Sequence, residues 1–338
     1  MSRERITLKD IAKRVGVSVP TVSRALADHP DIHEETKARV RDVAQELHYI
    51  PNYRARYLRA KYSRLLALVV PEMNTFFVPS LVTGINGVAQ RNDYSLIVFQ
   101  SEDAIVQERR LLEDCVRLSV DGVLLALSSE TSDLAHLRTL GDAGIPVVLL
   151  DKTIRTDEHS AVTIDDERVG AEAAEYLLRN GHRRAIGLFA DDRQRISKLR
   201  RRGFQRAFAS AGAPLEEDLL LRVSLLDELP GQLGSALDAH PDVTAVFAMS
   251  DELLVRAHHL LMRRGARVPQ DVALLAISDG QAPYFLFPSV THIRHSGAVV
   301  GERAAHTLIG LIDHSADSTM EVKVATRLVE LGSVGARE

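Results

Sequence analysis

The chain of 338 residues has a single cysteine, Cys115, which excludes an internal disulfide and a cysteine-based metal site. Cys115 stands at helical spacing after Leu111 and Leu112, which predicts a buried structural thiol rather than a nucleophile. No run approaches the roughly 20 apolar residues that a membrane-spanning helix needs. The charged start, MSRERITLKD, lacks the apolar middle of a secretory signal, so we expect a cytoplasmic protein.

The sequence also lacks the loops and clusters on which most enzymes depend. Neither G-x-G-x-x-G nor G-x-x-x-x-G-K-[ST] follows any of its strand-like runs, so we expect no nucleotide cofactor. We find no convincing nucleophile or acid–base pair, which argues against an enzyme. His258 and His259 are adjacent, and adjacent side chains on a helix point about 100° apart, so we expect no metal there.

Charge is distributed unevenly along the chain. The net charge is −4, but residues 1–62 hold 13 Lys or Arg against 8 Asp or Glu, which is +5. The remaining residues hold 29 against 38, which is −9. A small basic segment before a large acidic one suits a head that meets phosphates and a body that meets solvent, although a merely solvated basic segment has the same signature.

Residues 1–50 carry the signals of three short helices. Thr7 followed by Asp10 is a capping-box pattern that predicts a first helix ending before Gly16. Ser18 can cap a second helix, whose first turn tolerates Pro20 because an amide there has no helical partner. A third helix is predicted from the core-facing positions Val40, Val43, Ala44 and Leu47.

Three short helices with a glycine turn between the first two form either a helix-turn-helix or a generic three-helix bundle. The stretches TLKDIAKRVGVSVPTVSRAL and KARVRDVAQELHYIPN favour the first, because they closely resemble the head of the lactose repressor and purine repressor (LacI/GalR) family. The resemblance covers most of the first 60 residues. It implies a sequence-specific DNA-binding transcription regulator, expected to be a repressor, whose second helix enters the major groove.

The resemblance assigns DNA contacts in the head position by position. Val19, Pro20 and Arg24 stand where the family contacts base edges. Val19 and Pro20 can make only apolar contacts, for instance with a thymine methyl, which leaves Arg24 as the bidentate partner of a guanine. The short hydroxyls at phosphate-contacting or capping positions are Thr7, Ser18, Thr21 and Ser23.

The segment 51–62 resembles the hinge helix of the same family. Asn52 can cap it, Tyr53 and Ala55 belong to its DNA-contacting stretch, and Leu58 stands where relatives insert a leucine into a minor-groove step. So short a helix is marginal in water, which predicts that it orders on DNA against a partner copy. An ordinary charged linker is the alternative.

From residue 65 onward, apolar runs alternate with amphipathic helical patterns. The runs are continuously apolar, as in parallel strands covered on both faces, which predicts an α/β body of doubly wound parallel sheets. Ligands of such sheets lie beyond the carboxyl ends of the strands. The predicted strands are 65–70, 94–100, 121–127, 146–151, 185–190, 244–249 and 272–277, and predicted helices include 167–180, 198–211, 252–264 and 298–312.

The family resemblance implies that the body has two lobes, like the periplasmic binding proteins, with three crossovers between them. A ligand between the lobes would change the angle that they make, a hinge-type transition. The expected division is an all-α helix-turn-helix domain at 1–50, a hinge at 51–62 and an effector-binding and dimerisation body at 63–338, with one lobe at about 63–161 and 293–323 and the other at about 162–292 and 324–338.

Candidate effector-binding residues stand at strand ends or at positions where relatives bind ligand. For Phe76 and Phe77, packing within a lobe is the alternative role, and for Arg200 the alternative is a solvated basic run. The aspartates, including Asp166, could instead cap the helices that follow. The full set is Asn74, Phe76, Phe77, Gln100, Ser101, Asp151, Asp165, Arg200, Ser250, Asp251, Ser278 and Asp279.

One departure from the family pattern bears on the effector. Ser278 stands where many relatives have a ligand-binding aspartate, while Arg200 keeps its positive charge beside Arg201 and Arg202. We therefore expect the cleft to tolerate a uronate or a sugar phosphate better than the usual family pocket does. Acceptors such as Asp151 argue for neutral sugar hydroxyls instead.

Two other functions use a similar body. A sugar-transport receptor would need a secretory signal and has no use for the head, and an enzyme would need a catalytic constellation. We therefore expect a homodimer on palindromic operator DNA with a small sugar-like effector and no membrane partner. The C-terminal ELGSVGARE lacks the leucine heptads that join two dimers in some relatives, so a dimer is the expected assembly.

Overall fold

The computed structural model describes residues 6–49, 62–154, 157–314 and 319–337. The chain divides into a small unit, Met1–Lys61, and a large unit, Tyr62–Glu338. No helix in the described ranges is both long and apolar enough to cross a membrane.

The small unit contains three helices, as the sequence predicts: α1 (Leu8–Val15), α2 (Val19–Leu26) and α3 (Glu34–Glu46). Gly16 ends α1 in the left-handed region at φ 79, which glycine adopts without a side-chain clash. The apolar faces of the three helices meet in one core, which consists of Ile11, Ala12, Val15, Val22, Ala25, Val40 and Ala44.

A buried lysine fixes the turn between α2 and α3. The Lys37 ammonium lies 3.2 Å from the Asp28 carboxylate and 2.7 Å from that of Glu34. Arg41 pairs with the same Asp28 oxygen at 2.6 Å. These contacts tie the end of α2 to the first two turns of α3 and so help to fix the orientation of α2 relative to α3.

The large unit contains twelve strands among its described residues, in two six-stranded sheets. In chain order they are β1 (Leu65–Val70), β2 (Ser95–Gln100), β3 (Gly122–Leu125), β4 (Val147–Leu150), β5 (Ser160–Thr163), β6 (Ala185–Ala190), β7 (Leu220–Val223), β8 (Ala245–Ala248), β9 (Ala273–Ser278), β10 (Thr291–Arg294), β11 (Glu321–Lys323) and β12 (Arg327–Val329). The first sheet has the order β11-β5-β4-β3-β1-β2 and the second β12-β10-β9-β8-β6-β7.

All the strand pairs are parallel except β10 with β12, which confirms the predicted parallel α/β body. The seven predicted strands are present. The strands that the sequence did not predict are short or carry polar residues, as in THIR of β10, so no continuous apolar run marks them.

Helices cover both faces of the sheets. Apolar clusters lie on the two sides of the first sheet, and one of them encloses the fully buried Cys115, whose pKa burial raises to about 12. The predicted burial of Cys115 is therefore confirmed. The helices of the body are α4 (Phe77–Arg91), α5 (Ile105–Arg117), α6 (Arg138–Asp142), α7 (Asp166–Arg179), α8 (Arg195–Ser210), α9 (Leu229–Ala239), α10 (Asp251–Arg263), α11 (Ala282–Phe285) and α12 (Gly297–Ile312).

The chain crosses between the two sheets after β5, after β10 and after β11. The first two crossings lie close to the lobe boundaries expected at about 161 and about 292. Pairing with β4 and β11 keeps the chain in the first sheet to Thr163, and pairing with β9 keeps it in the second sheet to Arg294. Helix α12 then returns to pack against α4 of the first lobe, where Gly84 faces the Ala298 carbonyl without room for a side chain.

Candidate functional site

The hydroxyls at the start of α2 form its cap. Ser18 Oγ accepts from the Thr21 N–H at 3.2 Å, and the two hydroxyl oxygens lie 2.8 Å apart. At the start of α1, the backbone N–H and the hydroxyl of Thr7 both donate to Asp10 Oδ2 at 2.7 Å. Three of the predicted phosphate-contacting hydroxyls therefore also hold the helix ends in place.

Helix α2 presents a short exposed face. Pro20 and Arg24 are exposed, while Val19 and Ser23 are half-buried. Pro20 and Arg24 are four residues apart, so they lie one turn above each other on the same side of the helix. The predicted hinge contacts Asn52, Tyr53, Ala55 and Leu58 lie outside the described residues.

A cavity of about 560 Å³ opens at the carboxyl ends of strands from both sheets. Val70 of β1, Ala190 of β6 and Ser278 of β9 line it, together with Asp151 and Met249, which follow β4 and β8. The place agrees with the rule for ligand sites in open α/β sheets, and the volume is typical of small-molecule pockets.

The structure brings eight of the predicted effector-binding residues to this cleft. Phe77 and Asn74 reach it from the first lobe, and the aspartates and serines reach it from strand ends. The eight are Asn74, Phe77, Asp151, Arg200, Ser250, Asp251, Ser278 and Asp279.

Four predicted residues do not line the described cleft, and Phe76, Gln100 and Asp165 have other contacts. Phe76 has an exposed ring, while its backbone N–H donates to Glu252 Oε1 at 3.0 Å. Gln100 is the last residue of the edge strand β2 and Ser101 follows it, and Gln100 Oε1 accepts from the Met73 N–H at 3.1 Å. Asp165 caps α7, accepting from the Arg168 N–H at 3.0 Å. An effector contact by any of these four residues therefore stays a prediction.

Arg200 is buried against Asp166, the neighbour in sequence of the capping residue Asp165. Its Nε donates to Asp166 Oδ1 at 2.8 Å and one Nη donates to the Met249 carbonyl at 2.9 Å. Close packing of α7 and α8 brings the pair together, since a Cβ on Gly170 would overlap the Arg200 carbonyl oxygen. A guanidinium carries five N–H donors, so Arg200 has further donors that could bind a ligand oxygen.

Three aspartates on the cleft wall have raised pKa values because burial disfavours their charged forms. They are Asp151, Asp251 and Asp279. Asp251, with a pKa of about 6, accepts from the Ser278 hydroxyl at 2.5 Å and from the Asp279 N–H at 3.0 Å. Asp151 has a left-handed φ of 54, a strained conformation that proteins often keep at functional positions.

Acidic residues outnumber basic residues along the cleft, and each of the three neighbouring arginines lies close to a carboxylate. Arg200 is neutralised by Asp166, Arg201 pairs with Asp192 at 2.8 Å and Arg202 lies 3.6 Å from Glu167. Three basic residues face the cavity, namely Lys152, Arg200 and Arg256. Six acidic residues line it, namely Glu72, Asp151, Asp227, Asp251, Glu252 and Asp279.

Among the described residues, hydrogen bonds of Glu252 and Asp279 join the lobes across the cleft, and the sequence predicted neither of the two. Glu252 of α10 accepts from the Phe76 N–H just before α4, as described above. Asp279 Oδ1 accepts at 2.6 Å from the N–H of Gly297, the first residue of the returning helix α12. Both depend on the spatial meeting of distant segments, and no local pattern in the sequence signals them.

His295 also lines the cleft, and the sequence did not single it out. Its ring lies against Phe77, with 4.7 Å between ring centroids, and 5% of the residue is exposed. Burial and the nearby Arg200 lower its pKa to about 3, so the imidazole is neutral at physiological pH.

Comparisons with known proteins agree with this geometry. A family model described as "Bacterial regulatory proteins, lacI family" matches residues 7–52. A second, described as "Periplasmic binding proteins and sugar binding domain of LacI family", matches residues 63–331. Both models match continuous stretches that together take in the head and nearly all of the body.

Individual proteins are similar over nearly the whole chain. The HTH-type transcriptional regulator GntR of Pseudomonas aeruginosa is 33% identical over 314 residues, 91% of this chain and 90% of the relative. A complex of the transcriptional regulator CelR with cellobiose is 27% identical, with a TM-score of 0.72 over 97% of this chain and 100% of that one. The lac repressor dimer bound to operator shares the fold at 20% identity, with a TM-score of 0.86 over 98% and 100% of the chains.

Proposed function

This chain belongs to the LacI family of bacterial regulatory proteins, and we propose that it is a homodimeric repressor whose hold on a palindromic operator is set by a neutral sugar in the body cleft. Membership makes it a DNA-binding transcription regulator with a sugar-binding body. The observation that carries the proposal is the polar cleft, because it collects side chains from the strand ends of both sheets.

In the head, we assign base contact to the exposed face of α2. Arg24 supplies the bidentate donor that suits a guanine, and Pro20 supplies an apolar surface one turn away. The hydroxyls of Ser18 and Thr21 contact phosphate while they cap the helix. Since operator DNA of bacteria lies in the cytoplasm, the protein works there, and it works by binding rather than by catalysis.

A strongly exposed aromatic patch supports dimerisation of the body. Tyr284, Phe285 and Phe287 are 55%, 81% and 87% exposed around the short helix α11. Monomeric proteins rarely leave such clusters in water, and aromatic residues are enriched in protein interfaces. A two-fold dimer would bury the patch against a second copy and place two heads on two half-sites.

The acidic cleft supports a neutral sugar as the effector. Sugar hydroxyls can donate to Asp151, Asp251 and Asp279, whereas a uronate or a sugar phosphate would meet these carboxylates with its own negative charge. Arg200 can still donate to a ligand oxygen, but its charge is already balanced by Asp166. Cellobiose is the first sugar to test, since a neighbour is described as its complex.

The test uses the full-length protein on operator DNA selected from a random duplex pool. We expect a symmetric footprint, a dimer by light scattering, and a change in DNA affinity when cellobiose or D-glucose is added. D-glucuronate and D-glucose 6-phosphate serve as matched acidic ligands, and calorimetry should show that they bind more weakly. An asymmetric half-site held at full affinity by a monomer would overturn the dimer, and tight binding of only the acidic sugars would overturn the effector class.

A further inference from the structure

Two buried histidines of the body differ in how their ring nitrogens are satisfied. His182 is fully buried, with Nδ1 3.0 Å from Thr244 Oγ1 and Nε2 2.9 Å from the Gly335 carbonyl oxygen. Both nitrogens of this histidine are paired, as buried polar groups in native proteins usually are. His182 therefore has the contacts of a structural residue.

His295 lacks such a pairing at one nitrogen. Within the described ranges, no hydrogen-bond partner reaches its Nε2, although that atom is buried. The ring lines the effector cleft and packs on Phe77. The backbone of His295 is held by its N–H, which donates to the Ser278 carbonyl at 2.8 Å. Packing and backbone contacts thus hold the ring in place without any help from Nε2.

We propose that His295 Nε2 binds the effector directly, accepting a hydrogen bond from a ligand hydroxyl whose oxygen also accepts from Arg200. This inference rests on the proposed effector cleft and adds a specificity-determining residue to it. A hydroxyl suits both groups at once, because it carries one donor and two acceptor positions. In the tautomer that the proposal requires, the proton is on Nδ1 and Nε2 can only accept, so a carboxylate, which also only accepts, could pair with Arg200 but not with Nε2.

The proposal has a consequence in the ligand-free protein. A buried nitrogen without a partner destabilises the fold, so an apolar side chain of similar size should be tolerated or preferred at this position. His182 differs, because its replacement by leucine would remove the hydrogen bonds that its ring makes to Thr244 Oγ1 and to the Gly335 carbonyl oxygen. His295→Leu and His182→Leu are therefore a matched pair of variants.

The first measurement is thermal unfolding of the full-length protein without ligand. We expect His295→Leu to keep or raise the Tm of the body, and His182→Leu to lower it by at least about 2 °C, since each kcal/mol corresponds to about 2–4 °C at this domain size. A fall in Tm for His295→Leu as large as that for His182→Leu would show a structural histidine and overturn the proposal.

The second measurement is calorimetric titration with cellobiose, D-glucose and D-glucuronate. For the neutral sugar that binds the wild type, His295→Leu should weaken affinity about tenfold, the loss expected for one ligand hydrogen bond. His295→Gln, whose amide can still pair, should stay within about threefold of the wild type. Unchanged affinity in His295→Leu would remove His295 from the site and leave the proposed effector class standing.

Failure of the proposed function would look different. If the wild type binds no neutral sugar, the proposed effector class fails, and the ligand-free unfolding comparison still decides whether His295 is structural. If D-glucuronate alone binds and His295→Leu weakens it, then His295 contacts ligand, but the hydroxyl pairing is wrong.

Discussion

The head and the body assemble their recognition residues in different ways. In the head, each cap links residues three apart, as Ser18 with Thr21 and Thr7 with Asp10. In the body, Arg200 meets Asp166 from 34 residues away, and Glu252 meets the N–H of Phe76 from 176 residues away. A change in the head should therefore act locally, whereas a change in the cleft should spread through both lobes.

The two regions also treat carboxylates in opposite ways. Hydrogen bonds from Thr7 lower the pKa of the exposed Asp10, because they stabilise its charged form. Burial raises the pKa of Asp251 to about 6, because it removes water from the charged form. Ionisation of Asp10 therefore stabilises the folded head, whereas ionisation of Asp251 destabilises the folded body.

The largest effect that would test this contrast is expected from Arg200→Met. Removing the arginine leaves Asp166 buried without its partner, which should destabilise the body by about 3–5 kcal/mol. Hydrogen exchange on the full-length protein should show the loss in the body and none in the head. Effector binding should be lost as well.

Arg202→Met is the matched control for that variant. Arg202 is 69% exposed and lies 3.6 Å from Glu167, and surface pairs of this kind contribute no more than about 1 kcal/mol. Equal destabilisation by Arg200→Met and Arg202→Met would contradict the structural role of the buried pair.

The next largest effect is a pH dependence of the body. The pKa of Asp251 is raised in the folded protein, so its stabilising contribution is fully present below pH 4 and is lost as pH rises through about 6. A shift of about two units corresponds to about 3 kcal/mol. Asp251→Asn should flatten the dependence of body stability on pH between 4 and 6, as measured by denaturant unfolding.

Asp10→Asn gives the opposite sign and completes the comparison. The lowered pKa of Asp10 stabilises the head above the usual carboxyl pKa, and this contribution is lost as pH falls through the folded value. The protection of α1 amides, measured relative to their intrinsic exchange rates at each pH, should therefore fall on acidification in the wild type, and that fall should be smaller in Asp10→Asn. Parallel pH responses of head and body would refute the contrast.

The same contrast explains what the sequence could predict. The bounds of α1 and α2 follow from Thr7, Gly16 and Ser18, because caps and breaks are local rules. Which of the neighbours Asp165 and Asp166 caps α7 depends on Arg200, which α8 brings from elsewhere in the chain. His295 carries no local signal either, since its significance lies in an absent partner that only the fold reveals.

A smaller effect is expected from Arg24→Ala in the head. Loss of a bidentate base contact should cost about 1–3 kcal/mol at one operator position and little on random DNA. Arg41→Ala, in α3, is the control, because it removes an arginine that pairs with Asp28 rather than one on the α2 face. Binding to a set of single-base operator variants distinguishes them, and equal losses on specific and random DNA would exclude base contact by Arg24.

The smallest effect is expected from Ser18→Ala, and it tests whether changes in the head stay local. Ser18 Oγ satisfies the Thr21 N–H at the start of α2, and loss of such a cap costs about 1 kcal/mol. Amide exchange should speed up in the first turn of α2, with no change in cleft residues or in sugar affinity. Ser23→Ala is the control, since Ser23 lies within α2 and caps neither end. If Ser18→Ala altered sugar affinity in the absence of DNA, the head and the cleft would be coupled within the free protein. The expectation that changes in the head act only locally would then be wrong.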